Sequence, residues 1–351
     1  MLYRYIVLTC IKRLQNDRSI SAVYYLLQGK QSIQTIQDAH LFNLSRYYRI
    51  YKTLTKERFM DTVKQLEYDN YVTKHSDDSK RYITDQAEQW LEKNKVMETT
   101  WHGNGMMYYR MDDTFHQRLL LLVQVLTNAK RRERSYIPII DKQDVKHWVK
   151  QYFIATKTNI NIQLQQLYEE LSNIFMEIEP VHVEMFVLQL TGHQRIGLAN
   201  VQLAKQFNMN EEDIALIITS VVHRILEVVK HHPNEYVVLQ QLINDLLQPT
   251  PLTESASKTS ALLQKSISLE QIATQRQLKI NTIYDHIVEI AIARADFPWQ
   301  QYVSEDVYKK IMIAIQQANS FTLKDIKALV PEYVSYFQIR LVLAKYHTFL
   351  S

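Results

Sequence analysis

The residues best suited to phosphate chemistry form a short run in which cations alternate with aromatic side chains. The run reads Arg46, Tyr47, Tyr48, Arg49, Ile50, Tyr51 and Lys52. Cations neutralise phosphates and aromatic rings stack on bases, which is how many single-strand binders hold nucleic acid. The alternative is that the tyrosines anchor an inserted loop on the core and the charges form its solvated rim. Arg46, Arg49 and Lys52 are therefore candidate DNA contacts.

More cations follow in the next segments of the chain. Arg58 and Lys64 fall on the outer face of a predicted helix, where two carboxylates balance them. Two β-prone segments then carry Lys74, Lys80 and Arg81. Basic side chains on such a hairpin can lie against the phosphate backbone of DNA. These five cations complete the predicted DNA-binding set.

The charge distribution points to the same part of the chain. The formal net charge is +4 over 351 residues. Residues 1–100 contain 16 Lys and Arg against 12 Asp and Glu, residues 101–265 contain 16 against 17, and residues 266–351 contain 9 against 8. The cationic excess therefore belongs to the N-terminal third, which is the first candidate for contact with phosphate.

The elements that would position these cations follow the order of a winged helix. Apolar spacing predicts helices over about 20–27, from Ser32 to Leu41 and from Thr55 onward. The two β-prone segments come next, separated by the polar turn formers of 75–79, and Thr84 begins another helix. We therefore predict a winged-helix domain over residues 1–95.

Composition argues against most enzymes. Five glycines in 351 residues leave too few for the loops that cradle phosphates or dinucleotides. The single cysteine, Cys10, excludes an internal disulfide and any zinc site that needs two thiolates. Two acid and histidine groups, Glu179–Glu184 and the adjacent His231 and His232, do not converge on one helix face. We expect no catalytic residues, no metal, no cofactor and no small-molecule substrate.

The middle of the chain predicts a helical domain over residues 96–248 with a helix-turn-helix of its own. A short helix after Asn200 leads to a turn at 208–210, and a second helix buries Ile214 and Ile218. The unit resembles region 4 of sigma factors. On a helical wheel its second helix points Glu212, Asp213, Leu216, Thr219 and His223 outward, without a cation. The proline- and serine-rich stretch that follows predicts a linker over 249–260.

The C-terminal domain, predicted over 261–351, carries the sharpest motif. It extends from Ser266 to Ile290 and includes a capping-box spacing between Ser268 and Gln271. On the wheel of the second helix, the outward residues are Thr282, Asp285, Val288 and Glu289. Two carboxylates and a valine suit a polypeptide better than a phosphate groove. These four residues are therefore the candidate partner-binding set.

This motif resembles the helix-turn-helix domain found at the C-terminus of bacterial RecQ-type helicases. The residues that carry the likeness are Ser268, Ile272, Ala273, Arg276, Thr282, Ile283 and His286. The whole chain further resembles the YpbB-like proteins of Gram-positive bacteria, which carry this domain without a helicase motor and are encoded beside a RecQ-type helicase. The resemblance implies helicase-associated work in DNA repair or recombination.

Taken together, the patterns predict a mainly all-α protein with one small β-hairpin. The favoured function is that of a non-enzymatic accessory to a RecQ-family helicase, which holds DNA through its N-terminal domain. The alternatives are a sequence-specific transcription regulator and a protein adaptor that makes no DNA contact. No segment is long and apolar enough to predict a membrane span, and we expect a cytoplasmic location.

Overall fold

The computed structural model describes residues 1–75, 77, 79–156, 159–247, 252–265 and 267–346. Within these ranges the protein is mainly helical, and its one sheet is a two-stranded antiparallel hairpin. The predicted fold class is thereby confirmed. None of the helices in the described ranges combines the length and the apolar character needed to cross a lipid bilayer.

The N-terminal elements follow the predicted winged-helix order. They are α1 (Leu2–Leu14), α2 (Ile20–Gln28), α3 (Ile33–Leu41), a 3₁₀ turn at Ser45–Tyr47, α4 (Lys56–Tyr68), β1 (Val72–Lys74), β2 (Arg81–Ile83) and α5 (Asp85–Lys93). Ser32 and Thr55 begin α3 and α4 by accepting hydrogen bonds from backbone N–H groups of the first turn. Ser76 and Asp78, in the predicted hairpin tip, lie outside the described residues.

The middle elements are helices joined by short turns. They are α6 (Val96–Thr100), α7 (Gly105–Tyr108), α8 (Asp112–Lys130), α9 (Gln143–Thr156), α10 (Ile160–Phe175), α11 (Pro180–Leu188), α12 (Asn200–Phe207), α13 (Glu211–His231) and α14 (Val237–Gln241). Asn208 has the left-handed backbone (φ 51°) that ends α12 and starts the predicted turn. The middle helix-turn-helix therefore consists of α12 and α13.

The C-terminal elements build a second helix-turn-helix and a following helical cap. They are α15 (Glu254–Leu263), α16 (Leu269–Gln275), α17 (Ile280–Ala293), a 3₁₀ turn at Trp299–Gln301, α18 (Glu305–Ala318), α19 (Leu323–Leu329) and α20 (Tyr336–Lys345). Ser268 and Gln271 form the capping box that their spacing predicted. Ser266, at the start of the predicted motif, lies outside the described residues.

The chain divides into two compact units. The first comprises Met1–Tyr5 and Lys93–Leu247, and the second comprises Ile6–Glu92 and Gln248–Ser351. The predicted N-terminal and C-terminal domains thus contribute to one and the same unit. Of the predicted linker over 249–260, residues 249–251 lie outside the described ranges, and α15 begins at Glu254. The division into three domains stays a prediction.

Helix α13 is the central helix of the first unit, which corrects the outward face assigned to it. Asp213, Leu216 and His223, three of its predicted outward residues, are all buried. Asp213 accepts a hydrogen bond of 2.8 Å from the backbone N–H of Tyr3 and pairs with the N-terminal ammonium group. The helical wheel failed here because it assumes one buried stripe, whereas α7, α8, α10, α11, α12 and α14 all contact α13.

Candidate nucleic-acid interface

Helix α4 keeps one face buried and the opposite face exposed. Phe59, Val63 and Leu66 lie in the core at helical spacing, so the remaining side chains point away from it. That outer face carries Arg58, Asp61, Lys64, Gln65 and Tyr68. It has the geometry of a helix that can be presented to another molecule.

Two details define the chemistry of this face. Lys64 pairs with Asp61 at 2.9 Å, and both side chains are exposed, so the pair is weak and easily exchanged for a phosphate contact. Tyr68 is 83% exposed. Tyr68 is absent from the predicted DNA-binding set, although its position three residues after Gln65 and off the apolar stripe indicates an exposed ring. An exposed aromatic ring beside cations is suited to stacking on a base.

The hairpin stands beside α4, because β1 packs against that helix. Lys74, at the end of β1, is exposed. The ring of the following residue, His75, lies 5.0 Å from the ring of Tyr82 on β2. Lys80 Nζ donates to the backbone carbonyl of Asn16 at 2.9 Å, and this bond lies at the surface. Lys74 is thus exposed on the hairpin, and Lys80 is partly exposed.

Arg81 must be removed from the predicted DNA-binding set. Its side chain is 6% exposed and forms an ion pair with Glu67 of α4. A second guanidinium N–H donates to the carbonyl of Lys80 at 2.9 Å. The pair ties β2 to α4, and breaking a largely buried ion pair would cost more than one phosphate contact returns. Arg81 therefore has a structural role in positioning the hairpin.

The tyrosine-rich run is also corrected, because its rings belong to the core. Tyr47, Tyr48 and Tyr51 are buried, so they cannot stack on bases. The alternative interpretation, in which tyrosines anchor the loop, is the one that the structure supports. Arg49 has a left-handed backbone (φ 59°) and donates to the carbonyl of Gly29 at 3.1 Å.

The cations of the segment 46–52 are partly exposed, unlike its buried tyrosine rings. The stem of Arg49 covers the Cα of Gly29 so closely that an added Cβ there would lie 2.2 Å from it. Arg46 lies with its guanidinium 5.6 Å from the centre of the Tyr47 ring. Arg46 and Lys52 are each partly exposed. Arg46 and Lys52 therefore stay candidate DNA contacts, whereas Arg49 serves mainly to hold the loop.

Helix α17 does not present the partner-binding face that its wheel predicted. Val288 is 0% exposed and Glu289 is 5% exposed, which corrects both residues. Glu289 accepts a hydrogen bond of 2.9 Å from the hydroxyl of Thr253 and a second one from the backbone N–H of Thr253. Asp285 pairs with Arg340, and Thr282 is partly exposed. The face binds other parts of the same chain.

The helices that cover α17 come from both ends of the second unit. Helices α3, α15 and α20 all pack against it. The side chain of Gln37, on α3, donates to the carbonyl of Arg340 on α20 at 2.9 Å, and Arg340 in turn pairs with Asp285 of α17. The first turns of α17 reach solvent, but residues 286–291 are buried, which leaves little of the helix for a DNA groove.

The motif residues of the C-terminal module form a buried polar cluster. Arg276 donates to the carbonyl of Ser255 at 2.7 Å and also contacts the hydroxyl of Thr259. That hydroxyl lies 2.8 Å from Nδ1 of His286. Burial, reinforced by the nearby Arg276 charge, lowers the pKa of His286 from 6.5 to about 4. The neutral imidazole thus joins α15 to α17, and the motif has a structural role.

One further cluster combines residue types that catalyse reactions elsewhere. His223, Asp112 and Ser220 lie buried in the first unit. Nδ1 of His223 accepts from the backbone N–H of Asn104 at 2.9 Å, while Nε2 faces Asp112 at 3.3 Å. The Ser220 hydroxyl accepts from the backbone N–H of His102 at 2.8 Å. A base whose free nitrogen is already occupied cannot activate a nucleophile, so the cluster fixes the loop 101–104.

Metal binding finds no support in the described parts of the chain. No group of three or more histidine, cysteine or acidic side chains there has the geometry to hold a metal ion. The candidate surface comprises the outer face of α4, the hairpin, and Arg46 and Lys52.

Comparisons with known proteins agree with the helix-turn-helix architecture. Residues 255–343 match a family model described as a helix-turn-helix domain. Over 341 residues, which are 97% of this chain and 96% of the relative, the sequence is 31% identical to Protein YpbB of Bacillus subtilis (strain 168). No solved structure matches the chain significantly.

Proposed function

The chain is a helix-turn-helix protein that belongs to the YpbB family, and we propose that it binds DNA through α4 and the hairpin as a non-enzymatic accessory of a RecQ-type helicase. The observation that carries the DNA part is the contrast between two helices. The outer face of α4 is exposed beside a hairpin that carries Lys74 and Lys80, whereas most of α17 is covered by helices of its own chain.

The expected mode of binding follows from the charges of this surface. Arg58, Lys74 and Lys80 can each approach a phosphate by exchanging a contact within the chain, as Lys64 can by leaving Asp61. Because carboxylates lie among these cations, the affinity should be modest and strongly dependent on salt. The exposed ring of Tyr68 would favour DNA with unpaired bases over a continuous duplex.

The helicase part of the proposal rests on the C-terminal motif and on composition. Ser268, Arg276 and His286 stand where the RecQ-appended domain has its signature residues. A chain with five glycines and no phosphate-cradling loop cannot supply a nucleotide-driven motor. The accessory would therefore act on DNA that a separate helicase opens, in the cytoplasm where bacterial DNA lies, during repair or recombination.

Removal of two surface cations tests the DNA contact. The double variant Arg58→Ala with Lys74→Ala should weaken binding to forked DNA about tenfold. It should also reduce the slope of log K against log salt by about 2, since each lost phosphate contact removes about one unit. Fluorescence anisotropy with labelled single-stranded, forked and duplex DNA at several salt concentrations measures both quantities.

The matched control removes two exposed cations from the first unit, Arg195→Ala with Lys205→Ala, and should leave the slope unchanged. If both double variants have the same slope of log K against log salt, α4 and the hairpin do not contact DNA. A strong preference for one duplex sequence would favour a transcription regulator. Absence of DNA binding, together with a stable complex with the purified helicase in calorimetry, would leave a protein adaptor.

A further inference from the structure

The first unit contains an open groove that the DNA proposal does not use. It lies between α8 and α9 and the segment 131–142 that connects them, and its volume is about 1010 Å³. That volume is at the upper end of cavities that hold small molecules, and the groove is open along one side. It can therefore accept several side chains of a polypeptide rather than one compact ligand.

The floor of the groove is apolar. Helix α8 contributes Leu121, Val125 and Ala129, and helix α9 contributes Val149 and Phe153. These positions recur at intervals of four residues, so each helix turns an apolar stripe toward the groove. Aliphatic side chains dominate, and such a floor suits leucine or phenylalanine side chains better than the flat faces of nucleobases.

The rim of the groove is cationic. Arg132, Arg134, Lys146 and Lys150 line it, against Glu133 as the one lining carboxylate in the described residues. Lys146 pairs with Asp141 at 2.7 Å. In the parts of the chain that are described, Arg132, Arg134 and Lys150 form no ion pair. A cationic rim above an apolar floor is complementary to a segment with acidic and apolar faces.

The segment 131–142, which carries Arg132 and Arg134 of the cationic rim, is held in place by a buried side chain. The amide of Gln124, which is itself buried, donates to the carbonyl of Ile137 at 3.0 Å and accepts from the N–H of Ile139 at 2.9 Å. The carboxylate of Glu133 is engaged at 2.7 Å by the N–H of Ser135. Ile137, at the outer edge, is 89% exposed. The connecting segment is therefore a preformed wall rather than a loose loop.

We propose that this groove docks an acidic, amphipathic segment of a partner protein, with its apolar side chains on the α8–α9 floor and its carboxylates on the cationic rim. The proposal rests on the proposed function only in that a protein partner exists. The groove belongs to the first unit and the candidate DNA surface to the second, so the two can fail independently.

Selection from a displayed library of random 16-residue peptides tests this proposal with the full chain as bait. Enriched peptides should carry net negative charge and apolar residues spaced by three and four. Their affinity, measured by anisotropy, should fall at least tenfold for Arg134→Glu with Lys150→Glu, and also for Ala129→Phe, which fills the floor. The control Arg195→Glu with Lys205→Glu should bind like the wild type, and thermal melting should show that all variants are folded.

Several results would overturn the docking proposal. One is that no enriched peptide loses affinity in the groove variants, and another is that the enriched peptides carry no excess of acidic residues. Binding of single-stranded oligonucleotides or of anionic lipid vesicles that is abolished by Arg134→Glu with Lys150→Glu would assign the groove to those ligands instead. Forked-DNA binding should be unchanged by these variants, which separates this test from that of the DNA surface.

Discussion

Replacement of Val288 by aspartate is expected to lower the free energy of unfolding by about 4 kcal/mol, because it places a charge where no water can reach it. Val288 is fully buried on α17, and α3, α15 and α20 pack around that helix. Its neighbour Glu289 is tolerated because Thr253 supplies two hydrogen bonds to it. Urea unfolding followed by circular dichroism measures the loss.

The matched control for this substitution is Asn281→Asp, which introduces the same group at an exposed position near the start of the same helix. It should change stability by less than 1 kcal/mol, since an acidic residue near a helix N-terminus is favourable. A Val288→Asp variant that unfolds like the wild type would mean that this face of α17 is open to a partner, as the helical wheel alone suggested.

Acidification from pH 7 to pH 5 is expected to destabilise the protein through two histidines: His286, which is buried, and His116, whose Nε2 atom is buried although the residue is partly exposed. Burial lowers the pKa of His116, on α8, and of His286, on α17, from 6.5 to about 4. Between pH 6.5 and pH 4 these histidines are protonated in the unfolded chain but neutral in the folded chain. The free energy of unfolding therefore falls as the pH falls. After allowance for solvent screening, each ring should account for about 1–2 kcal/mol.

The matched variant for the pH effect is His286→Gln, which keeps a polar side chain but cannot be protonated. It should flatten the dependence between pH 7 and pH 5, because position 286 then takes up no proton on unfolding, whereas His116 and His182 still do. Urea midpoints at several pH values provide the comparison. An identical pH dependence in the wild type and in this variant would mean that His286 is protonated as easily in the folded as in the unfolded protein.

The sequence predicts the elements of this protein better than it predicts their surroundings. The winged-helix order and the Ser268 capping box follow from local spacing and local hydrogen bonds, and the structure confirms both. The exposed face of α4 is also readable, since its apolar residues form a single stripe. Residue spacing is enough to predict which side chains are exposed wherever an element has one buried face and one face in solvent.

The same rules fail for α13 and α17 because those helices are covered by distant parts of the chain. Gln37 and Arg340 are 303 residues apart in sequence. No local sequence pattern predicts that α3 and α20 contact each other and both pack against α17. Asp213 and Glu289 look like surface carboxylates in the sequence. Each instead accepts a hydrogen bond from a backbone N–H group that is distant in sequence, which offsets part of the cost of burying a carboxylate.

The run from Arg46 to Lys52 illustrates a different ambiguity. Alternating cations and tyrosines are equally compatible with base stacking and with rings that anchor a loop, because both uses need the same residue types. In the structure Tyr47, Tyr48 and Tyr51 lie in the core, so these rings anchor the loop. Tyr68, which lies between Glu67 and Asp69 in sequence and one helical turn after Lys64, is an exposed ring on α4 instead.

Site-specific photo-crosslinking to forked DNA tests most directly whether α4, rather than α17, contacts nucleic acid. The native Cys10 is buried and burial raises the pKa of its thiol, so a thiol-reactive crosslinker will attach only to an introduced cysteine. Labelled Gln65→Cys, on the outer face of α4, should crosslink to DNA in a salt-sensitive manner, whereas labelled Thr282→Cys, on α17, should not. Crosslinks from position 282, or none from position 65 under conditions where DNA is bound, would contradict the account.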